Sequence, residues 1–163
     1  MNIILIGMSG AGKSTLGILL AKAIGKEFLD TDLLIQKKTG ALLQNTINQQ
    51  GIKAFLDIEE KVIMSMKVEN TVIATGGSVI YSKAAMNHLK KLGRIVYLYV
   101  PFDEIENRVN NIKSRGIIMR KGRSLKDVYD ERTPLYNHYC DTVVDCSLKD
   151  VEACVEAIIL VIK

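Results

Sequence analysis

Apolar positions along this chain follow two periods, and the two alternate. Asn2–Ile6 and Ile95–Val100 are short, nearly continuous apolar runs, the pattern of strands buried on both faces. Thr71–Ala74 reads the same way, and Glu27–Asp30 and Thr142–Val144 read as further short strands. Between them the spacing becomes helical. Ser14–Ile24 sets Leu16, Leu19, Leu20, Ala23 and Ile24 on helical positions and stops at Gly25, a natural closing residue. Leu33–Lys38 and Leu42–Gln50 read as short helices on either side of Thr39-Gly40. Lys53–Lys67 reads as a longer helix with Phe55, Ile58, Val62, Ile63 and Met66 on one face. Ser82–Leu92, Phe102–Asn110, Leu125–Cys140 and Asp150–Ile162 complete the helices. Lys113–Ser124 has no period and is rich in Gly, Lys and Arg, which predicts a mobile loop. Strands interleaved with helices predict an α/β fold with a parallel five-stranded sheet. No repeat or linker divides residues 1–163, so a single domain is expected.

Composition narrows the function classes. Apolar residues are 48 % and charged residues 25 % of the chain, which is ordinary for a globular domain and excludes disorder. Net charge is +4, and the segment from Lys113 to Arg132, with seven basic and three acidic residues, carries all of it. A neutral body with one basic segment suits a small anionic ligand better than a nucleic acid, which usually meets a broad basic face. The basic lid within it, Lys113–Ser124, also lacks interleaved aromatics on which bases could stack. Three cysteines without a CxxC pair and only two histidines argue against a zinc site or a disulfide framework. The longest apolar run, Ala157–Ile162, is far below the ~20 residues of a membrane helix. No basic, apolar leader opens the chain, and the expectation is a soluble cytoplasmic protein with no membrane partner.

Gly7-Met8-Ser9-Gly10-Ala11-Gly12-Lys13-Ser14 matches GxxxxGK[ST], with a predicted strand before it and a predicted helix after it. The spelling follows from phosphate chemistry. Glycines let the backbone turn tightly and aim successive N–H groups inward, where they and the helix N-terminus cradle phosphate oxygens. Gly10, Ala11, Gly12 and Thr15 belong to that cradle, Lys13 adds a point charge at the β- and γ-phosphates, and the Ser14 hydroxyl is a ligand for Mg²⁺. Asp30 and Asp32 close the second strand at the same sheet edge, where ligands of open α/β sheets collect. Asp30 is the candidate second group near Mg²⁺. Asp32 either orients and deprotonates an acceptor hydroxyl or merely caps the helix beginning at Leu33.

At this point the chain resembles the shikimate kinases, in the nucleoside monophosphate kinase group of P-loop proteins. The resemblance spans nearly the whole length and rests on five ordered blocks: GMSGAGKST, FLDTD, GIKAFLDIEE, TGGSV, and a basic loop followed by ERTPLY. It implies a doubly wound P-loop NTPase three-layer sandwich with strand order 2-3-1-4-5, a lid over about 111–124 and acceptor-binding helices over about 33–67. It implies ATP and Mg²⁺ as cofactors and transfer of the γ-phosphoryl group to a hydroxyl of shikimate, a small carboxylated metabolite. By position, the family's metal-side Asp is Asp30 and its acceptor-hydroxyl Asp is Asp32. Its acceptor-lining glycines are Gly76 and Gly77, and its lid arginine at the transferring phosphate is Arg115. Its adenine-packing arginine is Arg108, and its substrate-carboxylate arginine is Arg132.

The sequence departs from the family pattern in one informative place. Shikimate kinases carry arginine after phenylalanine where this chain has Phe55-Leu56, so Leu56 presents an apolar wall where the family has half of a carboxylate clamp. A charge-assisted hydrogen bond contributes about 1.5–3 kcal/mol, so its loss weakens carboxylate binding by roughly 10- to 150-fold. Lys53, one turn earlier, is a partial substitute without the bidentate fork. The lid reads Arg115-Gly116-Ile117-Ile118 where the family has Arg-Pro-Leu-Leu, and Ser78 replaces a third glycine. The donor side is intact and the acceptor side altered. The expected protein is a monomeric small-molecule kinase, with shikimate as the first acceptor. Another hydroxylated metabolite, and a nucleotide-binding regulator without phosphotransfer, remain the alternatives. A nucleotide acceptor is disfavoured because residues 33–67 contain no arginine.

Overall fold

The computed structural model describes residues 1–110 and 117–163. Strands β1 (Asn2–Ile6), β2 (Glu27–Asp30), β3 (Thr71–Ala74), β4 (Gly93–Tyr99) and β5 (Thr142–Asp145) form one sheet in the order β2-β3-β1-β4-β5. Every pairing is parallel, with Ile4 opposite Ile73 on one side and Ile95 on the other. Helices α1 (Lys13–Ile24), α2 (Thr31–Thr39), α3 (Leu43–Ser65), α4 (Lys83–Leu92), α5 (Phe102–Asn110), α6 (Leu125–Tyr139) and α7 (Val151–Ile162) flank the sheet as the outer layers of a three-layer sandwich. Because helices cover a parallel sheet, its central strands are near-continuous apolar runs, with Asn2 and Thr71 as the buried polar residues that open β1 and β3. All five residues of β1 and all four of β3 are buried.

The topology locates the site. From β1 the chain crosses to β2 on one side, and from β3 it crosses to β4 on the other. The connections therefore diverge between the carboxyl ends of β1 and β3, which opens a crevice there. The loop after β1 and the glycine pair after β3 are its two walls.

Most predicted elements stand within a residue or two of their expected bounds. The two helices expected over Leu42–Gln50 and Lys53–Lys67 form α3, interrupted where Gly51 takes φ 85° and ψ 167°. Only glycine enters that region without strain, so the break is written in the sequence. β4 begins at Gly93 rather than Ile95, and its first residue pairs with Asn2. A β-carbon on Gly93 would collide with the Asn2 carbonyl oxygen, so the polar start of this strand depends on the missing side chain. A 3-10 turn at Val79–Tyr81, which the apolar pattern does not announce, follows the glycine pair.

α2 and α3 pack on one another around a small core of Ile35, Phe55, Val62 and Ile118, separate from the main core. Among the described residues, no helix is long and apolar enough to cross a membrane. The three thiols are free, with Cys146 and Cys154 buried.

Candidate active site

The loop Gly7–Ser14 joins β1 to α1, and Gly10 and Gly12 hold φ near +90° (89° and 91°), a conformation that side chains resist. This conformation turns the backbone back on itself and leaves the N-terminus of α1 open toward the crevice. Lys13 is buried, and its ammonium donates to the carbonyl oxygens of Gly7 at 2.7 Å and Met8 at 2.8 Å. The charge is thus held inside the loop that would wrap a phosphate. Beside it, the Ser14 hydroxyl donates to Asp30 Oδ2 at 2.6 Å. Two hard oxygen donors meet at the loop, a set that fits Mg²⁺, which keeps most of its shell as water and phosphate oxygen.

Asp30 has a second task. Its Oδ1 accepts from the backbone N–H groups of Asp32 at 2.9 Å and Leu33 at 3.4 Å, so Asp30 caps α2. The alternative that Asp32 is the cap is thereby corrected. Asp32 instead faces the glycine pair: a β-carbon on Gly76 would lie 2.8 Å from Asp32 Oδ1. Ser9, Lys13, Ser14, Thr15, Asp30, Asp32 and Gly77 share the walls of a cavity of about 380 Å³.

Arg132, on α6, is buried at 1 % exposure. A β-carbon on Gly77 would meet its Nη1 at 2.9 Å, so both glycines are needed for the close approach. The guanidinium lies over the Tyr81 ring at 5.4 Å. Its Nε donates to the Tyr81 hydroxyl at 3.3 Å and its Nη2 to the Ile118 carbonyl at 3.1 Å. A small cleft of about 20 Å³ brings together Ser9, Asp32, Gly76, Gly77 and Arg132. Leu56 stands apart from it, in a neighbouring cavity with Tyr81 and Ile118.

On the opposite side of the loop, Arg108 donates to the Gly10 carbonyl at 3.2 Å and pairs with Glu104 at 3.0 Å. It lines a cavity of about 400 Å³ with Gly10, Ala11, Gly12, Thr15, Cys146 and Lys149. That space abuts the phosphate loop and has room for a purine. Arg115 and Gly116 lie outside the described residues.

One residue absent from the sequence-based candidates stands out. Glu59, on α3, is 2 % exposed, and Ser78 donates to its Oε2 at 2.7 Å. Among the described residues its Oε1 has no hydrogen-bond partner. A β-carbon on Gly76 would lie 2.6 Å from that oxygen, so Glu59 and Asp32 approach the same α-carbon. Burial, and next the Asp32 charge, push the Glu59 carboxyl up to about 7, against the Ser78 hydrogen bond and the charges of Arg132 and Lys13. The signal was available: Phe55, Glu59, Val62 and Met66 fall on one apolar stripe, and an acid on such a stripe is either paired or functional. Tyr136 is a second omission; its hydroxyl donates to the Gly77 carbonyl at 2.6 Å and fixes the glycine turn against α6.

Comparison with known proteins gives consistent matches. A family model described as shikimate kinase matches residues 9–163. The shikimate kinase of Wigglesworthia glossinidia brevipalpis is 34 % identical over 97 % of this chain and 94 % of its own length. That of Pseudoalteromonas atlantica is 36 % identical over the same shares, 97 % and 94 %. Among solved structures, shikimate kinase from Acinetobacter baumannii in complex with shikimate superposes with a TM-score of 0.89 at 32 % identity, covering 99 % of this chain and 92 % of that one. Shikimate kinase from Aquifex aeolicus superposes with a TM-score of 0.83 at 30 % identity, covering 99 % and 96 %.

Proposed function

The chain belongs to the shikimate kinase family, and on that premise we propose that it phosphorylates a hydroxyl of shikimate with the residues assembled between β1 and β3. The family is one of ATP- and Mg²⁺-dependent phosphotransferases with an alcohol acceptor, so this chain is such an enzyme and takes a small anionic substrate. The solved Acinetobacter structure holds shikimate, which makes shikimate the first acceptor to assign here.

The observation that carries the residue roles is the convergence of Asp32, Gly76, Gly77 and Arg132 on one cleft that borders the phosphate loop. ATP is assigned to the loop, with its base in the cavity beside Arg108. Lys13 and the backbone N–H groups of Gly10–Thr15 bind the β- and γ-phosphates, and Ser14 and Asp30 would hold Mg²⁺. When bound, the metal neutralises phosphate charge that would otherwise repel the acceptor oxygen. Arg132 holds the acceptor's carboxylate, the Gly76–Gly77 turn lets the ring approach, and Asp32 orients the reacting hydroxyl. The hydroxyl oxygen bonds to the γ-phosphorus, the bond to the β–γ bridging oxygen breaks, Asp32 takes the proton, and ADP leaves. Arg115 is assigned to the transferring phosphate by its sequence position alone, within a lid over about 111–124. The whole chain, 1–163, acts as one domain with acceptor helices over about 33–67. Since one chain supplies every assigned group, a monomer working in the cytoplasm is part of the proposal.

Coupled ADP release tests it. The expected result is ADP release that requires both Mg²⁺ and shikimate, with one phosphate esterified per ADP. Equal release with and without shikimate would refute the acceptor assignment.

A further inference from the structure

Next to the acceptor cleft lies a separate cavity of about 130 Å³. Ile52 and Leu56 give it an apolar wall, and Arg120, Arg123 and Glu131 stand at its rim. Ile118 lines both spaces. Tyr81, on the cavity wall, takes the Nε hydrogen bond of Arg132. Ile118 is thus the wall the two spaces share, and Tyr81 and Ile118 both touch the Arg132 guanidinium. That guanidinium is already engaged on two sides, by Tyr81 at Nε and by the Ile118 carbonyl at Nη2. Its Nη1 is the arm turned toward Gly77. A carboxylate docking there meets one arm of the fork rather than a full bidentate face, so a second cation is called for.

The rim offers two cations. Arg123 is neutralised by Glu131 at 2.8 Å, and the other oxygen of Glu131 takes the Tyr81 hydroxyl at 2.6 Å. Arg120 makes no side-chain hydrogen bond or ion pair with any described residue. The cavity has room for about four waters at ~30 Å³ each, which is enough for a guanidinium. The Leu56 and Ile52 wall suits the apolar stem of an arginine.

We propose that Arg120 is the second cation of the acceptor's carboxylate site: it folds along Leu56 into the cavity and meets the carboxylate from the side opposite Arg132. This makes Arg120 a specificity-determining residue that selects acidic over neutral acceptors. The inference rests on the acceptor assignment above.

The test is a steady-state comparison of wild type, Arg120→Met, Leu56→Arg and the double variant, with shikimate and ATP varied separately. Met keeps the stem and removes the charge. The expected result is a rise in KM for shikimate of about 10-fold or more in Arg120→Met, with KM for ATP unchanged. Leu56→Arg, which brings a guanidinium from the same wall, should lower KM far more in the Arg120→Met background than in wild type. A KM for shikimate within twofold of wild type in Arg120→Met overturns the inference. So does a parallel rise in KM for ATP, or an equal effect of Leu56→Arg in both backgrounds. Wild type that releases no ADP with shikimate refutes the acceptor assignment and this inference together; an active wild type matched by Arg120→Met refutes the inference alone.

Discussion

Replacing Glu59 by Gln should stabilise this protein above neutral pH and do little below pH 5. In the folded chain the Glu59 carboxyl titrates near 7 instead of 4.5, because burial penalises its charge and Asp32 repels it. Between those values the folded state keeps a proton that the unfolded state has released. Stability from the neutral carboxyl is therefore complete below about 4.5 and is lost as pH rises through about 7. At 1.36 kcal/mol per pH unit, the gap corresponds to about 3 kcal/mol, with full effect at pH 8. Gln keeps an oxygen to accept from Ser78 and brings an N–H₂ group that can donate toward the carboxylate of Asp32. For a chain of this size, 1 kcal/mol moves Tm by roughly 2–4 °C, so the variant should melt about 6–12 °C above wild type at pH 8. Urea denaturation of both proteins at pH 4.5 and pH 8 supplies the free energies. A difference that is the same at both pH values, or a variant less stable than wild type at pH 8, would refute the reasoning.

Two further substitutions bear on catalysis. Lys13→Ala should lower kcat by 10²-fold or more, on the order expected for removing a donor to developing charge. Its circular dichroism should be unchanged, because the hydrogen bonds lost include two to carbonyls of its own loop rather than to another element; wild-type turnover by this variant would dismiss the phosphate role. Asp32→Asn should lower kcat by about 10²–10⁴-fold, leaving KM for ATP within twofold in the coupled assay. Should KM for ATP rise with little change in kcat, Asp32 would belong to the nucleotide side instead.

The parts of this site legible in the sequence are those whose chemistry is contiguous. The phosphate loop occupies eight successive residues, and its function follows from local backbone freedom and a neighbouring charge. The same holds for the Gly51 break and for the alternation of strand and helix. Asp30 is legible as a candidate beside the phosphate loop, where it accepts from Ser14. That it, and not Asp32, caps α2 depends on which carboxylate lies within reach of the N–H groups of Asp32 and Leu33. The strand order came from resemblance to a family, since hydrophobic period carries no information on which strand is whose neighbour.

By itself the chain's sequence determined a parallel α/β sandwich, a nucleotide-phosphate loop and a short roster of candidate acids and arginines. Only the tertiary structure decided how those groups are surrounded. Arg132 meets Tyr81, 51 residues away, and Tyr136 fixes the Gly77 turn, 59 residues away. Glu59 looks like one more helix carboxylate until packing removes its water and sets it beside Asp32. Local pattern governs backbone shape within a few residues. The energy of a buried charge depends on every atom that replaces solvent around it, and those atoms come from distant parts of the chain.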